Sequence, residues 1–198
     1  MTPSTTGILL AAGQGTRFGS NKLMYPLADG TSMAVACARN LQTVLAHCIA
    51  VVHDAHSDVA HLLAEAGLQV SANPRALAGM GTSIACGVAA SPNASGWVIA
   101  LADMPEVPVG VIRAVADALA QGADIVAPVF QGQRGHPVGF AARHGPALCN
   151  LQGEYGARDI ITAHRDTLAL IATEDRGVIH DIDTPASPEK PSGGTVLP

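Results

Sequence analysis

Aromatic side chains are scarce in this chain, with three Phe, two Tyr and one Trp in 198 residues, so its core must be built mainly from Ala, Val, Leu and Ile. Charge is sparse too: charged residues make up 14% against 48% hydrophobic, a balance that argues against disorder. There is no basic excess, and the formal net charge of −5 leaves no electrostatic footprint for nucleic acid or an anionic membrane. Any phosphate must therefore be bound by a local site. No apolar run is long enough to span a bilayer. The opening MTPSTTG has neither the basic flank nor the apolar core of a signal peptide. The four cysteines, Cys37, Cys48, Cys86 and Cys149, form no C-x-x-C pair and read as buried free thiols of a reducing compartment, which points to the cytoplasm. A G-x-S-x-G nucleophile elbow is also lacking.

What the chain does have is a stretch around which the rest is organised, GILLAAGQGTRFGSNK from Gly7 to Lys22. Its apolar opening suits one buried strand of a parallel sheet. The loop that follows carries Gly13, Gly15 and Gly19 with the cations Arg17 and Lys22. Glycines after a first strand let backbone N–H groups approach an anion closely, because no Cβ intervenes. A structural turn without ligand would use the same glycines. Two familiar phosphate loops do not fit: Phe18 stands where the third glycine of a dinucleotide fingerprint belongs, and Gly19 is not followed by the Lys-Ser/Thr of a P-loop.

Further along, helical spacing runs from Thr31 to Leu45, with Thr31 or Ser32 as cap, then from Ser57 to Ala66, Thr82 to Ala90, Pro108 to Gln121 and Gly156 to His164. Apolar runs of strand length fall at Cys48–Val52, Leu68–Ala72, Trp97–Ala102, Asp124–Ala127, Val138–Ala141, Leu168–Ala172 and Val178–Ile182. This alternation predicts a single α/β domain over residues 1–185, Rossmann-like and doubly wound on a mostly parallel sheet, with ligands at the carboxyl ends of the strands. The tail from Ala186, rich in Pro and Gly, is expected to be mobile.

Several stretches carry groups that suit phosphate chemistry. Asp103, in ALADMP, falls at the end of a strand on the same sheet edge as the glycine loop; there it can hold Mg²⁺ or cap a turn before Pro105. Asp181 and Asp183, in HDIDTP, share a face if that segment is extended. In NPRALAGMGTSI, Asn73, Gly81, Thr82 and Ser83 stand at a loop-to-helix junction that suits an anion or a base, or an ordinary cap. RGHP, comprising Arg134, Gly135, His136 and Pro137, pairs a bidentate cation with an imidazole. The histidines His53, His56 and His61 lack the accompanying acid or Cys set of a transition-metal site. Asp54 lies too far past the glycine loop to serve as the ribose-binding acid of a dinucleotide site.

The pattern L-A-A-G-x-G-x-R-F-G-x-x-K, together with the stretches above, resembles the signature of the MobA-like nucleotidyltransferases, and within them the molybdenum cofactor cytidylyltransferases. The likeness runs from Leu10 to Pro185. It implies a nucleotide-diphospho-sugar transferase type of fold and transfer of a nucleotidyl group from an NTP to a phosphorylated acceptor. By resemblance Leu10, Ala11, Ala12, Gly13, Gly15, Thr16, Arg17, Lys22, Asn73, Gly81, Thr82 and Ser83 bind nucleotide. Mg²⁺ falls to Asp103 and Asp183, while Arg134, Gly135, His136, Pro137 and Arg158 bind the acceptor. Catalytic roles go to Arg17, Lys22 and Asp103. Two positions depart from the family pattern: Ser187 replaces an acidic residue after Pro185, and GEYGAR has Glu154 where the family has Asp.

Cytidylyl-transferring relatives tend to read L-A-A-G and guanylyl-transferring ones L-A-G-G. Leu10-Ala11-Ala12-Gly13 therefore favours CTP. The resemblance makes molybdopterin the expected acceptor, and a molybdenum hydroxylase a possible recipient of the dinucleotide product. Transfer to another phosphate acceptor, a non-catalytic nucleotide- or cofactor-binding chaperone, and an NAD-dependent oxidoreductase are the rival readings.

Overall fold

The computed structural model describes residues 4–13 and 22–182. Eight strands form one sheet: β1 (Thr5–Leu10), β2 (His47–Val52), β3 (Gln69–Ala72), β4 (Gly96–Leu101), β5 (Ile125–Phe130), β6 (Gln133–Arg134), β7 (Val138–Ala141) and β8 (Leu168–Ala172). Six α-helices accompany them: α1 (Met33–Gln42), α2 (Asp58–Glu65), α3 (Met80–Ala89), α4 (Val109–Ala120), α5 (Gly145–Cys149) and α6 (Arg158–Ala163).

The strand order is β3-β2-β1-β4-β7-β5, with β1, β2, β3 and β4 parallel. β7 runs antiparallel between β4 and β5, while β8 pairs with β5 in parallel along its length. The sheet is thus mostly parallel with an antiparallel insertion, and this insertion matters for the site. It brings the start of β7, rather than its end, to the edge where β4 finishes, since Ile99 is opposite Val138.

Strand alternation explains the two-sided core. Leu9, Ala50, Val98 and Val126 face α1, α2 and α4, whereas Ile8, Ile49, Ile99 and Ile125 face the α3, α5 and α6 side. Ser32 caps α1 by accepting the Val35 N–H, and Ser57 caps α2 by accepting the Ala60 N–H. Pro108 is the N-cap of α4, one position before the first turn in which the sequence places it.

Three features differ from the sequence reading. Val178–Ile182 is not a strand: Asp175 accepts the Gly177 N–H at 2.8 Å and turns the chain into a 3₁₀ helix over Arg176–Val178. The backbone beyond it is spent on loop contacts instead of a ladder. β5 continues past Pro128 to Phe130 and folds back as a hairpin into β6. Gln131 and Gly132, at φ 48° and 81°, make the two-residue turn that suits strand twist. Finally, only Cys37 and Cys48 are buried; Cys86 is half-buried and Cys149 exposed, and all four are free thiols. Burial pushes the Cys37 thiol up to about 12 and that of Cys48 up to about 11.

Candidate active site

The carboxyl ends of β1, β3 and β4 meet at one edge, and the start of β7 joins them. β1 leads into Ala11, whose N–H donates to Val51, and into Ala12 and Gly13; Leu10, Ala11 and Ala12 are buried while Gly13 is exposed. Gly15, Thr16 and Arg17 lie outside the described residues. The chain returns at Lys22, in a 3₁₀ turn over Lys22–Met24, and its Nζ sits 3.0 Å from the Asp103 carboxylate. Thus the cation at the end of the glycine-rich stretch and the acid after β4 are in direct contact.

The Asp103 loop is held from three sides. Asn40 of α1 donates to the carbonyls of Pro105 and Val107 at 3.1 and 3.3 Å. The Ile182 N–H donates to the Asp103 carbonyl at 3.0 Å, and His180 pairs with Glu106 at 2.8 Å. Gly177 lies so near this loop that a Cβ would fall 2.2 Å from the Glu106 carbonyl oxygen. Asp183 is outside the described residues, yet the chain leading to it is docked on Asp103. Asp181 is exposed.

Metal binding can be tested on this donor set. Mg²⁺ takes hard oxygen ligands, commonly one or two carboxylates completed by substrate phosphates and water. Asp103, partly exposed at 29% of its side chain and facing the glycine-loop cation, fits such a role. Among the described residues no group of three or more His, Cys, Asp or Glu is placed to hold a metal.

On the nucleotide side, Asn73, Thr82 and Ser83 are brought together but turned inward. The Asn73 amide donates to the Thr82 and Ser83 hydroxyls at 2.9 and 3.1 Å and accepts the Arg75 N–H at 3.1 Å. The N–H of Gly81, at the start of α3, donates to the Gly153 carbonyl at 2.9 Å. These side chains build the loop, and the Gly81 main chain ties it to the segment before α6.

Arg134, Gly135, His136 and Arg158 converge on a cleft of about 330 Å³ beside β4 and β7. Its walls are apolar, from Leu10, Ile84, Ile99, Leu101, Val138 and Phe140, and Met80 and Tyr155 stand at its edge, both exposed. Pro137 is buried and joined to His136 by a cis peptide bond. Gly135 permits close approach, because a Cβ there would lie 2.2 Å from the Val178 carbonyl oxygen; that same oxygen accepts the His136 N–H at 2.8 Å. The His136 imidazole is held below its usual range by burial, with Asp103 opposing and Arg134 reinforcing the effect. Asp103 and the cleft are therefore neighbouring parts of one site.

Asn40, Glu106, Gly177, Met80 and Tyr155 are the participants that sequence reasoning misses. Asn40 and Pro105 are 65 residues apart, so no local pattern couples them. Tyr155 had a signal: it is one of only two tyrosines and lies inside the acceptor motif.

The mostly parallel sheet with its antiparallel β7 is the architecture of the nucleotide-diphospho-sugar transferase fold, and the Lys22–Asp103 pair and the cleft adjoin at its strand-end edge. Residues 7–168 match the MobA-like NTP transferase domain, and the chain belongs to that family. It is 31% identical to the purine catabolism protein PucB of Bacillus subtilis, over 92% of this chain and 93% of that one. It is 27% identical to the nicotine blue oxidoreductase of Paenarthrobacter nicotinovorans, with the same shares covered. In fold it is similar to Rv0371c of Mycobacterium tuberculosis in complex with manganese, with TM-score 0.72 at 24% identity over 86% of this chain and 88% of that one. No helix among the described residues is long and apolar enough to cross a membrane.

Proposed function

We propose that the protein transfers CMP from CTP to molybdenum-loaded molybdopterin, releasing pyrophosphate and forming molybdopterin cytosine dinucleotide. The observation that carries this reading is the junction of the Lys22–Asp103 pair with the apolar cleft rimmed by Arg134 and Arg158. One half suits a triphosphate, and the other suits a ring system bearing a phosphate.

An oxygen of the acceptor phosphate attacks the α-phosphorus of CTP, and the bond from that phosphorus to the bridging oxygen of the leaving pyrophosphate breaks. The attacking phosphate is already ionised at neutral pH, so no strong general base is needed. Positioning and cations then carry the catalysis. Lys22 meets the charge that develops at the α-phosphate, and Arg17 is assigned the outer phosphates. Arg134 and Arg158 hold the acceptor phosphate, Arg by its bidentate fork. Asp103 and Asp183 would hold Mg²⁺, which would supply positive charge to offset that of the triphosphate. That one structural relative is a manganese complex supports a divalent ion here. The Ala12 methyl narrows the space beside the backbone, which favours a pyrimidine base.

The test is pyrophosphate release with Mg²⁺ and molybdenum-loaded molybdopterin, comparing CTP, GTP, ATP and UTP. CTP-selective release, reduced at least about a hundredfold by Asp103→Ala, is the expected result. Release with GTP alone would overturn the base assignment, and nucleotide binding without release would favour another acceptor or a chaperone. One relative is named an oxidoreductase. Here that reading is opposed by Phe18, which stands where a dinucleotide loop has its third glycine.

A further inference from the structure

An aromatic ring is a large apolar surface, and this chain keeps most of its few rings out of water. Trp97 and Phe140 are buried, and Tyr25 and Phe130 are half-buried. Tyr155 departs from that rule: it lines the cleft and is nevertheless 74% exposed. Among the described residues its side chain has no stacking partner and no hydrogen bond. Met80, which also lines the cleft, is 41% exposed. Its sulfur lies beside the residue next to Tyr155, since a Cβ on Gly156 would fall 3.2 Å from the Met80 Sδ. Two large apolar groups thus stand uncovered where a cleft with aliphatic walls opens to solvent. What fills the cleft is what can cover them. A cation is presented from the same place: the Arg158 N–H donates to the Tyr155 carbonyl at 3.2 Å, so one turn at the start of α6 carries both the phenol ring and the guanidinium.

We propose that Tyr155 stacks on the face of the acceptor's flat heterocycle while Arg158, on the same turn, holds the phosphate of that molecule. This rests on the molybdopterin reading and deepens it. A puckered sugar phosphate would bring hydroxyls against an apolar rim that offers them no partner. A conjugated ring instead presents a face to the phenol and a polarisable surface to the Met80 thioether. Tyr155 is in this view a specificity-determining residue: it selects an acceptor whose body is planar.

6-Hydroxymethylpterin serves as the probe, because a tyrosine in contact with it quenches its fluorescence by electron donation. Affinities for the pterin and for CTP are measured by calorimetry, and the emission of the bound pterin is recorded in parallel. Tyr155→Ala is expected to weaken pterin binding at least about tenfold, the loss of one ring stack, with CTP binding within about twofold of wild type. Tyr155→Phe should keep pterin affinity within about threefold, since the stacking face is retained. The pterin bound to Tyr155→Phe should nevertheless be brighter than in wild type, because phenylalanine is a poor electron donor. A merely structural role would not move that signal. Wild-type pterin affinity in Tyr155→Ala would overturn the proposal alone, as would equal emission of the pterin bound to wild type and to Tyr155→Phe. CTP affinity lost in Tyr155→Ala with pterin affinity kept would also overturn it, by setting the ring against the cytosine. Absence of pterin binding to the wild-type protein, with CTP still bound, would sink the molybdopterin reading and this proposal with it.

Discussion

Asn73 illustrates how a residue chosen for a ligand can prove to be engaged with its own chain. All three of its side-chain hydrogen bonds are internal, and the residue is only 3% exposed. Removing the amide leaves buried hydroxyls on Thr82 and Ser83 with fewer partners. Asn73→Ala should therefore lower stability by about 2–3 kcal/mol, read from the urea midpoint. Unchanged stability with CTP affinity reduced more than about tenfold would instead put the amide on the nucleotide. Lys22 and Asp103 differ from Asn73 in kind, because each is a charged group held beside a sheet edge where parallel strands end. Their placement at one edge was legible from charge and from their positions after β4 and after the glycine-rich stretch. Those of Asn40 and Glu106 were not, since each acquires meaning only through a partner on a distant segment.

At the scale of elements, the first half of the chain was readable because β1, β2 and β4 are short, largely buried runs and α1 and α2 carry serine caps. β7 was readable as a strand but not in its direction, since four apolar residues carry no sign of it. The turn at Gln131 and Gly132 is the feature that reverses the chain. Val178–Ile182 misled because its apolar residues imitate a strand, while Asp175 and the glycine between them impose a turn. The segment clamps the site: Gly177 touches the Asp103 loop, Val178 the Gly135–His136 backbone, and Ile182 the Asp103 carbonyl. Gly177→Ala would set a methyl 2.2 Å from the Glu106 carbonyl oxygen. The expected cost is about 1–3 kcal/mol of stability. Because the chain leading to Asp183 is displaced with it, the Mg²⁺ concentration for half-maximal pyrophosphate release should rise. An unchanged metal requirement in a destabilised Gly177→Ala would show that the clamp supports the fold without positioning Asp183.

For the molecule as a whole, β5 is the strand from which the cleft side of the sheet hangs, because it pairs with β6, β7 and β8. Its start is fixed by a polar cluster rather than by apolar packing. Buried Asp124 takes the Arg143 guanidinium, the His144 ring and the Thr167 hydroxyl, joining the chain after β7 to the turn before β8. The Arg143 guanidinium first, then the Thr167 and His144 hydrogen bonds, hold the Asp124 carboxyl well below the usual carboxylate range, against the opposing effect of burial. A folded-state value below the unfolded one means that the unfolded chain binds the extra proton. The stabilisation is therefore fully present above the unfolded value of about 3.9 and is lost as the pH falls towards the folded one. Asp124→Asn should cost about 3 kcal/mol near neutral pH, leaving Arg143 without its counter-charge and the buried His144 ring with a weaker partner. The difference between wild type and variant should be flat from about pH 5.5 upward and shrink below about pH 4, as urea midpoints across that range would show. A difference that grew on acidification would mean that Asp124 enters the fold as the neutral acid, and that packing alone holds β5 in place.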